Sequence, residues 1–277
     1  MRKYLLVLTV LVGSINSPSL LYADSGAARL LYVATNGNDS WSGMLAAPNS
    51  SRTDGPLATL EAASKLGKGQ PRRIVVQGGR YFLDKTLVLG EKDSGLTIES
   101  ASGAKAWLFG GRKVAGWKKD GEKFYSVSLP GVKEGKWDFR TLIVNGRYCR
   151  RARLPEKGTF AHLTSFNVPW MSTTGGGWKR KPTHQELTTL KYKPEDLGEQ
   201  LDVKNAEITV YHMWDESLIG LAANDTQSNT LTFSSPSSHP AGAFGVKKYV
   251  VWNTLEGMTE AGQWYLDRSA GKLVYWP

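Results

Sequence analysis

The chain has one cysteine, Cys149, so no disulfide can close within it. That excludes a small exported module held together by disulfides, and leaves stability to an ordinary apolar core. Beyond the N-terminal apolar run, no segment approaches the roughly 20 consecutive apolar residues that a membrane-crossing helix requires. No membrane span is therefore expected. The HExxH zinc motif, the GxSxG elbow, the Walker A loop, paired CxxC motifs and the dinucleotide fingerprint are all missing, and with them the chemistries they carry.

What is present is a globular composition, 40% hydrophobic and 22% charged over 277 residues, enough for one or two domains with a sizeable core. Arg2 and Lys3, the apolar run Leu5 to Val12, and small residues leading to Leu21-Tyr22-Ala23 have the three-part pattern of a secretory signal peptide, residues 1–23, with cleavage expected near Ala23. The product is expected to be secreted or periplasmic. The formal charge is +10, of which Arg2 and Lys3 supply two. A basic exported protein favours acidic partners such as uronic-acid polysaccharides, although a basic balance also serves solubility alone. Trp and Tyr interleaved with Lys and Arg suit single-stranded nucleic acid, but export argues against a nucleic-acid partner.

Along the chain, Leu31 to Ala34 reads as a strand, followed by the turn-rich loop Thr35 to Gly43. Asp54-Gly55-Pro56 is a helix-start signal. Leu57, Leu60, Ala63 and Leu66 then give a three-residue apolar stripe, predicting a short helix that ends near Gly67. Short β-rich runs recur at Ile74-Val75-Val76, Leu87-Val88-Leu89, Leu96-Thr97-Ile98 and Trp107-Leu108-Phe109. Alternate runs are offset by about 20 to 22 residues, the period of a β-solenoid coil. The helix lies where a solenoid end needs covering. From about Val114 the pattern changes to hairpins, of which Phe139 to Leu154 about Asn145-Gly146 is the clearest, since Asn-Gly suits a type I′ turn. Gly175-Gly176-Gly177-Trp178 lies in a loop-rich stretch, and strand signals resume at Ile208 to Tyr211, Leu218 to Leu221, Thr230 to Phe233 and Tyr249 to Trp252. The closing residues, Gly262 to Pro277, read as another hairpin with an apolar face to bury.

Five landmarks occur in order: Tyr32-Val33-Ala34 with Gly37-Asn38-Asp39-Ser40-Trp41-Ser42-Gly43, Asp54 to Leu60, Gly78-Gly79-Arg80-Tyr81, Val144-Asn145-Gly146 with Arg151-Ala152-Arg153-Leu154-Pro155, and Trp264 to Asp267 with Tyr275-Trp276-Pro277. Together they resemble the N-terminal part of large secreted right-handed parallel β-helix proteins of the glycoside hydrolase type, with a pectate-lyase-like fold. The resemblance implies an all-β chain. Residues 24–113 are expected to form an N-terminal capping helix and the first coils, and residues 114–277 an inserted antiparallel β-sandwich-like domain. In such proteins the helix resumes after the Trp-Pro landmark, and the catalytic carboxylates are expected on those later coils. The expectation is thus an N-terminal fragment without its catalytic coils, and no catalytic residue is carried over. The alternative is a complete, non-catalytic, exported glycan-binding or surface protein.

Four residues stand out as candidate glycan contacts: Arg151, Arg153, His212 and Trp214. Arg147, Cys149, Arg151 and Arg153 alternate onto one strand face, where guanidinium groups could grip carboxylates; ion pairing within the sandwich accounts for them equally. On a strand, His212 and Trp214 share a face able to hydrogen-bond to a sugar and stack on it, and a half-buried aromatic strand gives the same pattern. Glycoside hydrolysis needs two facing carboxyl groups, about 5–5.5 Å or about 6.5–9.5 Å apart. Asp215 and Glu216, being adjacent, point to opposite faces. No metal is expected. Asn36, Asn38, Asp39 and Asp54 offer oxygens for calcium but without EF-hand spacing, and turn formation explains the first three.

Overall fold

In the computed structural model, residues 28–198 and 200–277 are described. The expected signal peptide lies outside them. The chain divides into two compact units between Lys113 and Val114, and it is mostly β with a few short helices.

The first unit contains β1 (Arg29–Val33), β2 (Arg72–Val76), β3 (Gly79–Phe82), β4 (Leu96–Ser100) and β5 (Ala106–Phe109). All its ladders are parallel: β1-β2-β4 form one sheet and β3-β5 a second. Leu31, Ile74 and Ile98 lie in register across the first sheet, and Val33, Val76, Leu57, Leu60 and Ala63 complete a buried cluster around them. The helix is shorter than its apolar stripe, spanning Leu60–Lys65. Leu57 is drawn into a parallel bridge with Val33, and its N–H donates to Tyr32 O, so the chain there is strand-like. Thr59 caps the helix, its Oγ1 accepting from the Ala62 N–H at 3.1 Å. The run Leu87-Val88-Leu89 is not a strand, and Val88 is 75% exposed. Gly79–Phe82 pairs with β5 instead, because the missing side chain at Gly79 lets the backbone pass Thr35, whose Cγ2 would lie 2.6 Å from an added Cβ.

The second unit opens with β6 (Lys118–Asp120), β7 (Phe124–Ser128), β8 (Leu142–Val144), β9 (Arg147–Arg151), β10 (Arg153–Leu154), β11 (Phe160–Ala161) and β12 (Thr189–Lys191). It continues with β13 (Glu207–Tyr211), β14 (Glu216–Asp225), β15 (Thr230–Phe233), β16 (Lys248–Trp252), β17 (Gln263–Asp267) and β18 (Lys272–Tyr275). One sheet has the order β6-β7-β18-β17-β9-β8; the other has the order β10-β16-β13-β14-β15-β12, with β11 also on β16. The second sheet is antiparallel, but the first is mixed, because β9 runs parallel to β17. The purely antiparallel insertion expected from the hairpin pattern is corrected on this point: β9 and β17 come from two separate hairpins. Asn145 and Gly146 have φ of 51° and 78°, and β8 and β9 form the expected hairpin.

Between β9 and β10 the chain passes from one sheet to the other at Ala152, which has no exposed surface. Its N–H donates to Trp264 O, and its own carbonyl accepts from the Asn253 N–H, both at 2.8 Å. Asn253, at φ 61°, fills the junction with its amide: Nδ2 donates to Asn205 O and Leu266 O, and Oδ1 accepts from the Leu266 N–H.

Beside this junction lies a buried carboxylate, Glu207 on β13. Arg140 donates to it through Nη2 at 2.6 Å, Arg151 of β9 pairs with it, and Arg268 Nη2 lies 3.3 Å away. Burial alone would raise the Glu207 pKa, but the hydrogen bond from Arg140 and the charges of Arg151 and Arg268 outweigh it, and the carboxyl sits below its ordinary value. Removing one partner of a buried ion pair strands the others, at a cost of about 3–5 kcal/mol. Glu207→Gln should therefore lower unfolding free energy by an amount in that range in urea titrations; a loss of under about 1 kcal/mol would contradict a structural role for the cluster. Because the folded pKa is depressed, the stabilisation is present above the unfolded carboxylate value of 4.5 and is lost as pH falls through the folded one. In the variant, that part of the acid sensitivity should disappear.

Candidate functional site

The β13–β14 hairpin carries the candidate site. Tyr211 pairs with Glu216, and the His212 N–H donates to Asp215 O at 2.9 Å. Met213 and Trp214 are left at the tip, 50% and 66% exposed. The alternation of strand faces fails here because the strand ends at Tyr211. His212 turns inward and is buried, while Trp214 points outward.

Two further turns place aromatic rings around Trp214. In one, Trp170 and Trp178 face each other across an antiparallel bridge, tied by Met171 N–H to Gly177 O at 2.7 Å and Lys179 N–H to Pro169 O at 2.9 Å. Gly176 is needed there: its φ is +84°, and an added Cβ would lie 3.3 Å from Trp170 Cζ2. In the other, Phe244 takes φ 55°, a left-handed conformation that an aromatic residue rarely adopts. Its ring lies 4.8 Å from that of Trp214 and 4.9 Å from that of Trp178. Trp170 lies 5.9 Å from Trp214 and 4.9 Å from Trp178. The Trp214–Phe244 and Trp170–Trp178 contacts are edge-to-face, an arrangement aromatic quadrupoles prefer, and the other two are tilted.

The polar members sit on one side of this cluster. His239 lies 5.6 Å, ring to ring, from His212 and 6.4 Å from both Trp178 and Trp214. Its Nε2 is 4.0 Å from Asp215 Oδ1. His212 Nε2 is 3.1 Å from Ser217 Oγ, which also accepts from the Ser238 N–H at 2.9 Å. Burial lowers the His212 pKa; nearby Asp215 opposes the shift and His239 adds to it. His212 is therefore neutral near pH 7 and anchors the tip through Ser217. Chemically the arrangement can offer an apolar ring face with a carboxylate and an imidazole at its rim.

Of the four residues singled out from sequence, the structure brings His212 and Trp214 into one cluster. The arginine strip divides instead at Ala152. Arg151 is buried against Glu207, and Arg153 lies over the Trp252 ring at 4.9 Å and donates to Gly158 O. Both guanidinium groups are thus engaged inside the protein. Trp170, Trp178, His239 and Phe244 were not reached from the sequence. Their only local sign is glycine beside an aromatic, at Gly175-Gly176-Gly177-Trp178 and Phe244-Gly245.

The oxygens considered for calcium hold their loop together. Asp39 accepts from the N–H groups of Ala58 and Thr59 at 2.9 and 2.8 Å, and Asp54 from the Ser42 N–H and hydroxyl at 2.8 Å each. Asn38 Oδ1 accepts from the Ser40 N–H at 2.9 Å. Among the described residues, no group of three or more His, Cys, Asp or Glu side chains is placed to hold a metal ion. No helix among them is long and apolar enough to cross a membrane.

No protein-family model matches the chain, and no curated protein matches it. Among solved structures, one described as a glycoside hydrolase is similar, with 22% identity and a TM-score of 0.57; the match covers 90% of this chain and 43% of that one. This chain thus corresponds to less than half of that protein's length. A second, the complex of XylC with xylose, has 15% identity and a TM-score of 0.29, over 86% of this chain and 33% of that one. The first likeness shows a glycoside-hydrolase-like fold.

The Phe244 turn depends on Gly242, at φ +83°, where an added Cβ would lie 2.4 Å from Thr164 O. Gly242→Ala should cost about 2 kcal/mol or more, and lower Tm by about 5 °C. It should also shift tryptophan emission as the rings around Trp214 loosen. An unchanged Tm and spectrum would show that the turn does not position the cluster.

Proposed function

We propose that this is an exported carbohydrate-active protein of the right-handed parallel β-helix type, which engages a polysaccharide through the aromatic cluster around Trp214. Residues 24–113 are assigned to its cap and first coils, and residues 114–277 to a β-sandwich-like insertion. The two sets of parallel ladders in the first unit, with the helix Leu60–Lys65 packed beside β1, support the first assignment. The likeness to a glycoside hydrolase supports a carbohydrate-related role. The signal-peptide pattern before Ala23 supports export.

The observation that carries the reading is Trp214 itself. A large aromatic ring that is 66% exposed, yet buttressed by the rings of Trp170, Phe244 and His239, is unusual for a residue without a partner. Such a ring, with polar groups at its edge, suits the apolar face of a pyranose and its hydroxyls. The reading is one of binding; no catalytic residue is assigned.

Calorimetric titration of the signal-cleaved chain against a panel of neutral, acidic and amino polysaccharides tests it. Trp214→Ala should weaken binding about tenfold or more, the scale of a central aromatic contact. Its Tm should change little, since the ring is exposed. Saturable binding that is indifferent to Trp214, or no binding across the panel, would refute the proposal.

A further inference from the structure

We propose that the Trp214 tip selects glycans bearing a free amine, of the glucosamine type, over uronic acids. The inference rests on the glycan reading above and fixes the charge of its ligand. The net charge of +10 points the other way, towards acidic polymers. Contact selectivity, however, follows the charges at the site rather than the sum over the chain, because exposed charges beyond about a Debye length are screened.

The charge that the hairpin places beside the exposed ring is negative. Asp215 directly follows Trp214, and its side chain is 44% exposed. The basic group facing Asp215 is His239, whose Nε2 lies 4.0 Å from Asp215 Oδ1 and which competes with a ligand amine for the carboxylate when it carries a proton; several other cations are engaged elsewhere. Arg180 is held by both oxygens of Glu186, at 2.7 and 2.6 Å. Lys247 Nζ donates to Ser165 Oγ at 2.8 Å. Arg151 pairs with Glu207, and Arg153 lies over Trp252.

An ammonium group satisfies both features at once. The negative face of the indole attracts a cation, and the carboxylate beside it accepts a charge-assisted hydrogen bond. A uronate brought to the same place puts like charges together. At an exposed site these terms are individually modest, and together they favour the amine by about fivefold to tenfold.

The test is calorimetry on the signal-cleaved chain at low salt, at a pH where the amine is protonated. Three ligands of equal length are compared: a deacetylated glucosamine oligomer, its N-acetylated counterpart and an oligouronate. The deacetylated oligomer should bind at least about fivefold more tightly than the N-acetylated one and above the uronate. Asp215→Asn should erase the preference for the amine, while Trp214→Ala should weaken both glucosamine ligands. Equal affinities, a uronate preference, or a preference that survives Asp215→Asn would overturn the inference. Trp214-dependent binding without an amine preference would leave the glycan reading intact and remove only this refinement. No binding by any oligomer would remove both.

Discussion

The second unit is organised around the charge of Glu207. A carboxylate out of contact with water is tolerable only if it is paired and hydrogen-bonded, and here three arginines from three segments of the chain converge on it. Arg151 comes from one sheet and Glu207 from the other. The pair therefore specifies how the sheets are joined more than it adds stability, because an apolar replacement of similar volume would often serve as well energetically. The amides of Asn205 and Asn253 act in the same sense. They replace main-chain partners where the two sheets meet, so that few buried peptide groups are left unsatisfied at the crossing.

The candidate site inherits its position from this arrangement. Glu207 begins β13, and Trp214 lies just beyond that strand's other end. A five-residue strand is a short and stiff connection, so fixing one end largely fixes the tip. The turns that bring in Trp170, Trp178 and Phe244 lack this advantage. They rely on glycine conformations and on a positive φ at Phe244, and their rings hold one another. The cluster thus combines one element placed by a rigid sheet with two placed by loops.

This division explains what could be read from the sequence. The strands about Ile74 and Ile98, the Asn145-Gly146 hairpin and the closing hairpin are encoded locally, by apolar alternation and turn chemistry, and they were legible. Leu87-Val88-Leu89 carries a strand-like composition but finds no partner, whereas Gly79 to Phe82 pairs because of a close approach to Thr35 that no local pattern announces. Trp214 and His212 were visible as unusual neighbours on a strand. The rings that surround them come from segments far away in sequence, and their convergence is a property of the loops. Arg151 illustrates the other alternative left open by the sequence: the chain changes sheets between it and Arg153, Arg151 pairs with Glu207 within the sandwich, and Arg153 lies over Trp252.

The mixed sheet also sets an order of assembly. Tyr125 pairs with Tyr275 and Ser128 with Lys272, so β7, near the start of the second unit, waits for β18, a strand far along the chain. Until then the apolar faces of β7 and β9 have no cover, and the sheet cannot close by local steps.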